Sequence, residues 1–207
     1  MSTERKARRN AARWMTALAF GGLLATAACA APAFHGVEAD PPAAVADFRL
    51  SDGTDAAFRL SDQKGKWVLL FFGYTNCPDV CPLTLSHIGT VLRDLGPTAD
   101  RVAVVFVSVD PDRDTPDRLA QYAASFGPQV IGVTGERAEI DAAVEAFGAR
   151  YELHTDEAAT SASGYSVSHS GDVFVVDPEM RLRLTFPFGI APADILADLK
   201  RLIGASG

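Results

Sequence analysis

Cysteine is scarce in this sequence, with three residues among 207. A chain of this length holds one domain of about 150–170 residues and an appendage, and such a domain folds without disulfide cross-links. The cysteines are therefore expected to have a chemical function rather than to form structural disulfide bonds. Disordered and fibrous classes are also excluded, because 48% of the residues are hydrophobic and 22% are charged.

Positive charge is scarce outside the N-terminus. The chain carries 19 Lys and Arg against 26 Asp and Glu, and residues 1–13 hold five of the basic residues beside the single Glu4. The remainder has 14 basic and 25 acidic residues, a net charge of −11. An acidic domain repels phosphate backbones. We therefore expect no nucleic-acid partner.

The basic N-terminus is followed by an uncharged, mostly apolar run over residues 14–28. This is the layout of an export signal or a signal anchor, in which the basic end stays in the cytoplasm. We therefore predict a signal or membrane anchor over residues 1–29, with the domain on the exported, periplasmic side. Three forms of attachment are open: cleavage after Ala28 or Ala30, lipidation of Cys29, or retention as a short transmembrane anchor.

Residues 30–46 are rich in Ala and Pro and lack periodicity, which predicts a semi-extended linker before a domain over residues 47–207. Alternating apolar residues around Asp52-Gly53 predict an N-terminal hairpin. Continuous apolar runs, helical periodicity and caps predict the other elements. These are a strand at 67–72, a helix at 82–95, a strand at 101–109, a helix at 115–126, a strand at 129–133, a helix at 138–147, a hairpin at 172–186 and a helix at 193–203.

This order of elements is that of an α/β, thioredoxin-like fold, with a central mixed sheet flanked by helices and an N-terminal hairpin. In such sheets, functional loops follow the carboxyl ends of the strands. We therefore expect the functional site in the loop after the strand at 67–72.

That loop carries two cysteines, in the stretch GYTNCPDVCP. Pro82 suits the first position of the next helix, so Cys81 is predicted at the helix N-terminus, where the helix dipole stabilises a thiolate. Cys77 lies four residues earlier, and the two sulfurs can close a disulfide or hold one soft metal ion. A static disulfide is the plain alternative, although closing so short a loop stabilises a large domain little.

A histidine completes a candidate metal site, in the stretch YSVSHS that precedes a predicted strand. Ordinary thioredoxins place a cis-proline in the loop that faces the dithiol, but no proline occurs between Gly164 and Val176. His169 lies in that region instead. Two thiolates and one imidazole form a soft donor set that suits Cu(I), and Cu(II) with a further ligand.

Three stretches resemble the signature stretches of the Sco/SenC family of copper-delivery proteins: GYTNCPDVCP, FVSVDPDRDTPDRL and YSVSHSGDVFVVDPEMRL. The resemblance implies a thioredoxin-like fold, an N-terminal membrane tether and a copper site formed by Cys77, Cys81 and His169. It also implies a role in assembling the binuclear copper centre of cytochrome c oxidase subunit II, by copper delivery or by reduction of that subunit's cysteines. Subunit II and a copper donor protein are therefore the expected partners.

The sequence departs from the family pattern at two positions next to the expected ligands. Asn76 precedes the first cysteine where the family usually has His, and Ser168 precedes the histidine where it usually has Asp. Neither position is a ligand, so we expect the site to survive. Loss of the aspartate is expected to weaken the orientation of the imidazole, because partners of ligating histidines tune metal affinity.

A thiol–disulfide oxidoreductase, a peroxidase or a redox sensor that uses Cys77 and Cys81 is the alternative class of function. The fold serves both classes. An oxidoreductase of this fold normally has a Cys-x-x-Cys spacing and the cis-proline, and this sequence has neither. We therefore expect a metallochaperone without enzymatic turnover.

The other candidate residues are expected to be structural or solvated. Three Asp residues with interspersed prolines are predicted to form a strand-to-helix loop rather than a site for a hard metal. The three remaining histidines are predicted to be solvated rather than ligands. These residues are Asp110, Asp112 and Asp114, and His35, His87 and His154.

Overall fold

This computed structural model describes residues 33–52, 57–155 and 164–205. The predicted signal or anchor, including Cys29, lies outside the described residues. Within the described ranges, none of the helices has the length and apolar character needed to cross a membrane.

The described residues form ten strands and four α-helices. In chain order the strands are β1 (Val37–Ala44), β2 (Arg49–Ser51), β3 (Ala57–Arg59), β4 (Trp67–Gly73), β5 (Val102–Ser108), β6 (Val130–Val133), β7 (Tyr151–His154), β8 (Ser166–His169), β9 (Val173–Val176) and β10 (Arg181–Phe186). The helices are α1 (Val80–Leu95), α2 (Pro116–Ala124), α3 (Arg137–Ala146) and α4 (Pro192–Gly204), and short 3₁₀ turns occur at Leu60–Gln63 and Gly96–Arg101.

Six strands form the central mixed sheet, in the order β1-β10-β9-β4-β5-β6. β4, β5 and β6 run parallel, whereas β9 pairs antiparallel with β4 and β10, and β10 pairs antiparallel with β1. Gly73 at the end of β4 lies beside Ser108 at the end of β5. The loops that follow these two strands therefore lie next to each other at one edge of the sheet.

The core is centred on β4 and β5, in which all 14 residues are buried. Both strands are continuous apolar runs because both of their faces are covered. The rings of Phe71 and Phe106 stack with their centroids 5.9 Å apart between the two strands. Each such side chain stabilises the fold by about 1.5–3 kcal/mol through burial, so the strands that precede the functional loops are anchored in the core.

The predicted thioredoxin-like fold is confirmed, with its central mixed sheet and flanking helices. The N-terminal hairpin is also present as β2 and β3, which pair antiparallel. α2 begins as predicted, with Pro116 as its first residue and with Thr115 accepting a hydrogen bond from the Arg118 amide. α1 begins at Val80, two residues earlier than predicted, and Pro82 is tolerated there because it still lies in the first turn.

Two segments differ from the prediction. Residues 37–44, predicted as part of the linker, form the edge strand β1 against β10. Seven of its eight residues are exposed, and an edge strand tolerates its two prolines, so no alternating pattern marks it. Residues 151–154 and 166–169 form a separate two-stranded antiparallel sheet, β7 with β8, which the prediction missed.

Candidate metal centre

The three predicted ligands come from three different elements and meet at the edge of the sheet where β4 ends. Cys77 lies in the loop after β4, Cys81 in the first turn of α1, and His169 at the end of β8. Their ligand atoms all lie within 4.8 Å of one another. The His169 Nε2 atom is 3.3 Å from the Cys81 sulfur and 3.9 Å from the Cys77 sulfur.

The cysteine loop is held by backbone and side-chain hydrogen bonds. The Cys77 amide donates to the Tyr74 carbonyl at 3.2 Å, and the Cys81 amide donates to the Cys77 sulfur at 3.4 Å. The Thr75 amide donates to the buried Asp114 carboxylate at 2.8 Å. These bonds turn both sulfurs toward one point.

Asn76, one of the two departures from the family pattern, is part of this support. The Arg118 guanidinium donates to the Asn76 side-chain oxygen and, at 2.8 Å, to the Thr75 hydroxyl. Asn76 thereby fastens the cysteine loop to α2. It is exposed and makes its described side-chain contact with Arg118 rather than with the sulfurs.

A glycine makes room for the buried sulfur. A Cβ atom added at Gly73 would lie 2.6 Å from the Cys81 sulfur and 2.7 Å from the Phe106 ring. Real Cβ atoms do not approach other atoms so closely, so a side chain at this position would displace the sulfur or the ring. No sequence pattern marks Gly73 as a site residue, because its role follows only from packing.

The imidazole of His169 is oriented by its own backbone neighbour. Its Nδ1 atom lies 2.9 Å from the Ser170 carbonyl oxygen, which can only accept a hydrogen bond, so Nδ1 carries the proton. Nε2 therefore directs its lone pair at the two sulfurs, as a metal ligand requires. The rings of Phe71 and Tyr74 meet the imidazole edge-on, each at a centroid distance of 5.8 Å.

Ser168, the second departure, does not contribute to this orientation. Its hydroxyl lies 2.8 Å from the His154 Nε2 atom across the hairpin of β7 and β8. The Ser170 carbonyl takes the place of a carboxylate as the partner of the imidazole. A backbone partner is absent from any side-chain motif, so the sequence alone does not reveal it.

The two thiols have unequal acidity. The pKa of Cys77 is lowered to about 3, chiefly because the Cys81 thiol donates a hydrogen bond to its sulfur, and hydrogen bonds from nearby backbone amides add to this effect. The pKa of Cys81 is raised because that hydrogen bond and burial favour its protonated form. These opposite directions favour a thiolate at Cys77 beside a protonated Cys81. Both cysteines are free rather than joined in a disulfide.

The site opens to solvent on the side of His169. Cys77 is 8% exposed and Cys81 is fully buried, whereas His169 is half-buried. Two sulfurs and one imidazole nitrogen with a free lone pair fit a soft metal ion such as copper. Within the described ranges, this is the one group in which three Cys, His, Asp or Glu side chains converge in this way.

The predicted strand-to-helix loop that carries the three Asp residues forms hydrogen bonds and ion pairs with its neighbours. Asp114 accepts hydrogen bonds from Thr75 and, at 2.7 Å, from Ser108. Asp112 forms an ion pair with Arg137 at 2.9 Å. Each of these two carboxylates therefore has a protein partner of its own.

Two of the remaining histidines have partners that the sequence analysis did not predict. His35 was predicted as solvated, but its Nδ1 atom lies 3.1 Å from the buried Asp198 carboxylate in α4. His154 pairs with Ser168, as described above. His87 lies on α1 and lines the same small cavity as Phe188.

Comparison with known proteins matches residues 37–204 to the family model described as SCO1/SenC. A relative from Stutzerimonas stutzeri is 37% identical over 141 residues, which cover 68% of this chain and 67% of the relative. The chain spans about half the length of the human and zebrafish mitochondrial SCO2 homologues that it also matches.

Solved structures show the same fold. The apo Sco1 protein from Thermus thermophilus is 38% identical, with a TM-score of 0.73 over 82% of this chain and 97% of that chain. The ScoI protein from Bradyrhizobium japonicum, solved with copper bound, is 36% identical, with a TM-score of 0.67 over 77% and 99%. The family match covers most of the chain and includes all three converging side chains. The chain belongs to the SCO1/SenC family.

Proposed function

We propose that this chain binds one copper ion through Cys77, Cys81 and His169 and acts as a copper-delivery protein rather than as an enzyme. The observation that carries the proposal is the convergence of two sulfurs and one imidazole lone pair at one point. Two structural neighbours with copper bound, from Bradyrhizobium japonicum and Arabidopsis thaliana, support copper as the metal.

The donor set suits both oxidation states of copper. Two sulfur ligands suffice for Cu(I), whereas Cu(II) favours an added nitrogen ligand. A transfer protein has to release its metal as well as bind it. The half-buried imidazole gives an acceptor protein access to the metal from one side, while the buried Cys81 holds it from the other.

The proposed destination of the copper is the binuclear centre of cytochrome c oxidase subunit II. The domain would act on the periplasmic side of a membrane, tethered by the predicted segment over residues 1–29, and would receive copper from a donor protein. Its family membership supports this placement, and so does the basic and apolar N-terminus.

The proposal is tested in cells that lack the native protein. The full chain is expected to restore copper loading of the oxidase, measured as oxidase activity and copper content of the isolated enzyme. His169→Ala is expected to fail, whereas His154→Ala, on the same hairpin but directed at Ser168, is expected to succeed. Normal oxidase copper content with His169→Ala would contradict the three-ligand site.

A thiol–disulfide reductase or redox sensor is the second candidate function. The observation that favours it is the low pKa of Cys77 beside a protonated Cys81, which is the arrangement of a reactive dithiol. Such a protein has no need of the imidazole. Reduction of a disulfide-bonded oxidase subunit II by His169→Ala at the unchanged rate, without any copper requirement, would favour this candidate.

A further inference from the structure

Arg113, in the loop after β5, lies at the centre of a buried cluster next to the metal site. Its side chain is 12% exposed and pairs through Nε with the carboxylate of Asp110, which is fully buried. A buried ion pair of this kind contributes little net stability, because desolvation offsets its attraction. The Asp110–Arg113 ion pair is therefore expected to have a role other than stabilising the fold.

The cluster holds the residue that precedes strand β8. The Arg113 Nη1 atom donates to the Tyr165 carbonyl at 3.2 Å, and the guanidinium carbon lies 3.9 Å from the centroid of the Tyr165 ring. The Tyr165 hydroxyl donates to the Asp110 carboxylate. Tyr165 is thus held at its backbone, its ring and its hydroxyl, four residues before His169.

The same guanidinium also faces the cysteine loop. Its carbon lies 5.6 Å from the centroid of the Tyr74 ring, which is buried and meets the His169 ring edge-on. The Tyr74 carbonyl accepts the hydrogen bond from the Cys77 amide. Arg113 therefore lies between the segment that carries the sulfurs and the strand that carries the imidazole.

We propose that Arg113 is a positioning residue, which sets the place of the His169 imidazole relative to the two sulfurs by fastening the start of β8 to the loop after β5. This inference rests on the proposed function, since a correctly placed imidazole matters for copper. β7 and β8 form a small sheet of their own, separate from the central sheet. The hairpin therefore needs such a tie to be held at a fixed place.

The geometry calls for an arginine in particular. A guanidinium is planar and presents several donors in a rigid fork, so it can bind a carboxylate and a carbonyl while stacking on a ring. A lysine would keep the positive charge beside Asp110 but would lose the fork and the stacking. Arg113→Lys thus separates the positioning role from compensation of the buried charge.

The test compares Arg113→Lys in the full-length protein with a matched variant. Arg181→Lys is the control, because Arg181 pairs with the buried Asp177 in the turn between β9 and β10, at the other end of the sheet. We expect Arg113→Lys to weaken Cu(II) binding about tenfold, as loss of support to a ligand does, and to change the Cu(II)–thiolate absorption. Cu(I) binding should stay within about threefold, since two sulfurs suffice. Arg181→Lys should change neither.

A second measurement needs no copper. Amide hydrogen exchange of the metal-free protein should be faster over β8 in Arg113→Lys than in the unchanged chain, with the amides of β4 unaffected. The double variant Asp110→Asn with Arg113→Gln removes both charges and should show the same faster exchange. If Arg113→Lys unfolds, the double variant can still be measured, because replacing both partners leaves no uncompensated buried charge.

Unchanged Cu(II) binding and unchanged exchange over β8 would overturn the inference. A parallel loss of Cu(I) binding, Cu(II) binding and thermal stability would also overturn it, because that result indicates a merely structural residue. If the unchanged protein takes up no copper, the proposed function fails, and the exchange measurement still decides whether Arg113 positions the hairpin.

Discussion

Gly73→Ala is expected to damage the metal site by displacing one sulfur. The added Cβ would lie 2.6 Å from the Cys81 sulfur, whereas non-bonded atoms settle at about 3.5–4.0 Å. The sulfur must therefore retreat by about 1 Å, and it is fully buried, so its neighbours must move with it. Overpacking of this kind destabilises a core by about 1–3 kcal/mol.

The displacement also changes the spacing of the ligands. The Cys81 sulfur lies 3.3 Å from His169 Nε2, and a shift of about 1 Å is large compared with the tolerance of a metal site. We expect Gly73→Ala to weaken Cu(I) binding at least about tenfold, or about 1.4 kcal/mol. The assay is competition with a chromophoric Cu(I) chelator, alongside urea unfolding of the metal-free protein.

Gly132→Ala in β6 is the matched control, because its Cβ would lie 2.8 Å from the Leu119 carbonyl oxygen in α2 and not against one of the three ligands. It should lose stability and keep its copper affinity. The reasoning is refuted if Gly73→Ala binds Cu(I) as tightly as the unchanged chain, or if both variants lose affinity in proportion to their stability.

The other predictions concern pH, oxidation state and attachment. The pKa of His35 is raised above its ordinary value, chiefly by its hydrogen bond to Asp198, so its stabilising effect is full below about pH 6.5 and is lost as the pH rises through the raised pKa. His35→Gln should flatten the decline in the free energy of unfolding over that range, measured by urea titration, and an unchanged decline would contradict this. His169→Ala should keep Cu(I) and lose most Cu(II) binding in a titration followed by absorption; equal losses of both would contradict it. The native protein should sediment with membranes and be digested only by protease added on the periplasmic side, and recovery in the soluble cytoplasmic fraction would refute the export signal over residues 1–29.

The sequence predicts the central sheet and the three converging residues because their signals are local or strong. The strands that became β4 and β5 are continuous apolar runs, and a run of this kind has few alternatives to burial between two layers. The cysteines follow β4 directly, so their place at the sheet edge follows from the strand. His169 was associated with them through the order of the elements and the absence of a proline in the facing segment.

The features that the sequence does not predict depend on contacts between residues that are distant in the chain. β1 is an exposed edge strand that contains prolines, so its sequence shows no alternating pattern. β7 and β8 have four residues each, which is too short for a clear periodic pattern. The partner of the His169 imidazole is a backbone carbonyl, and the role of Gly73 is the space that it leaves empty. Arg113 lies within the stretch FVSVDPDRDTPDRL, and no pattern in the sequence assigns it a role. Its contacts with Tyr74 and Tyr165 join segments 39 and 52 residues away.

The central claim is that Cys77, Cys81 and His169 together hold one copper ion. Copper-edge X-ray absorption of the protein loaded with Cu(I), which both the unchanged chain and His169→Ala are expected to hold, tests it most directly, because sulfur and imidazole nitrogen ligands give distinct scattering. The expected spectrum shows two sulfur ligands and one imidazole in the unchanged chain, and it loses the imidazole contribution in His169→Ala. A spectrum with fewer than two sulfur ligands, or one that His169→Ala leaves unchanged, would contradict it.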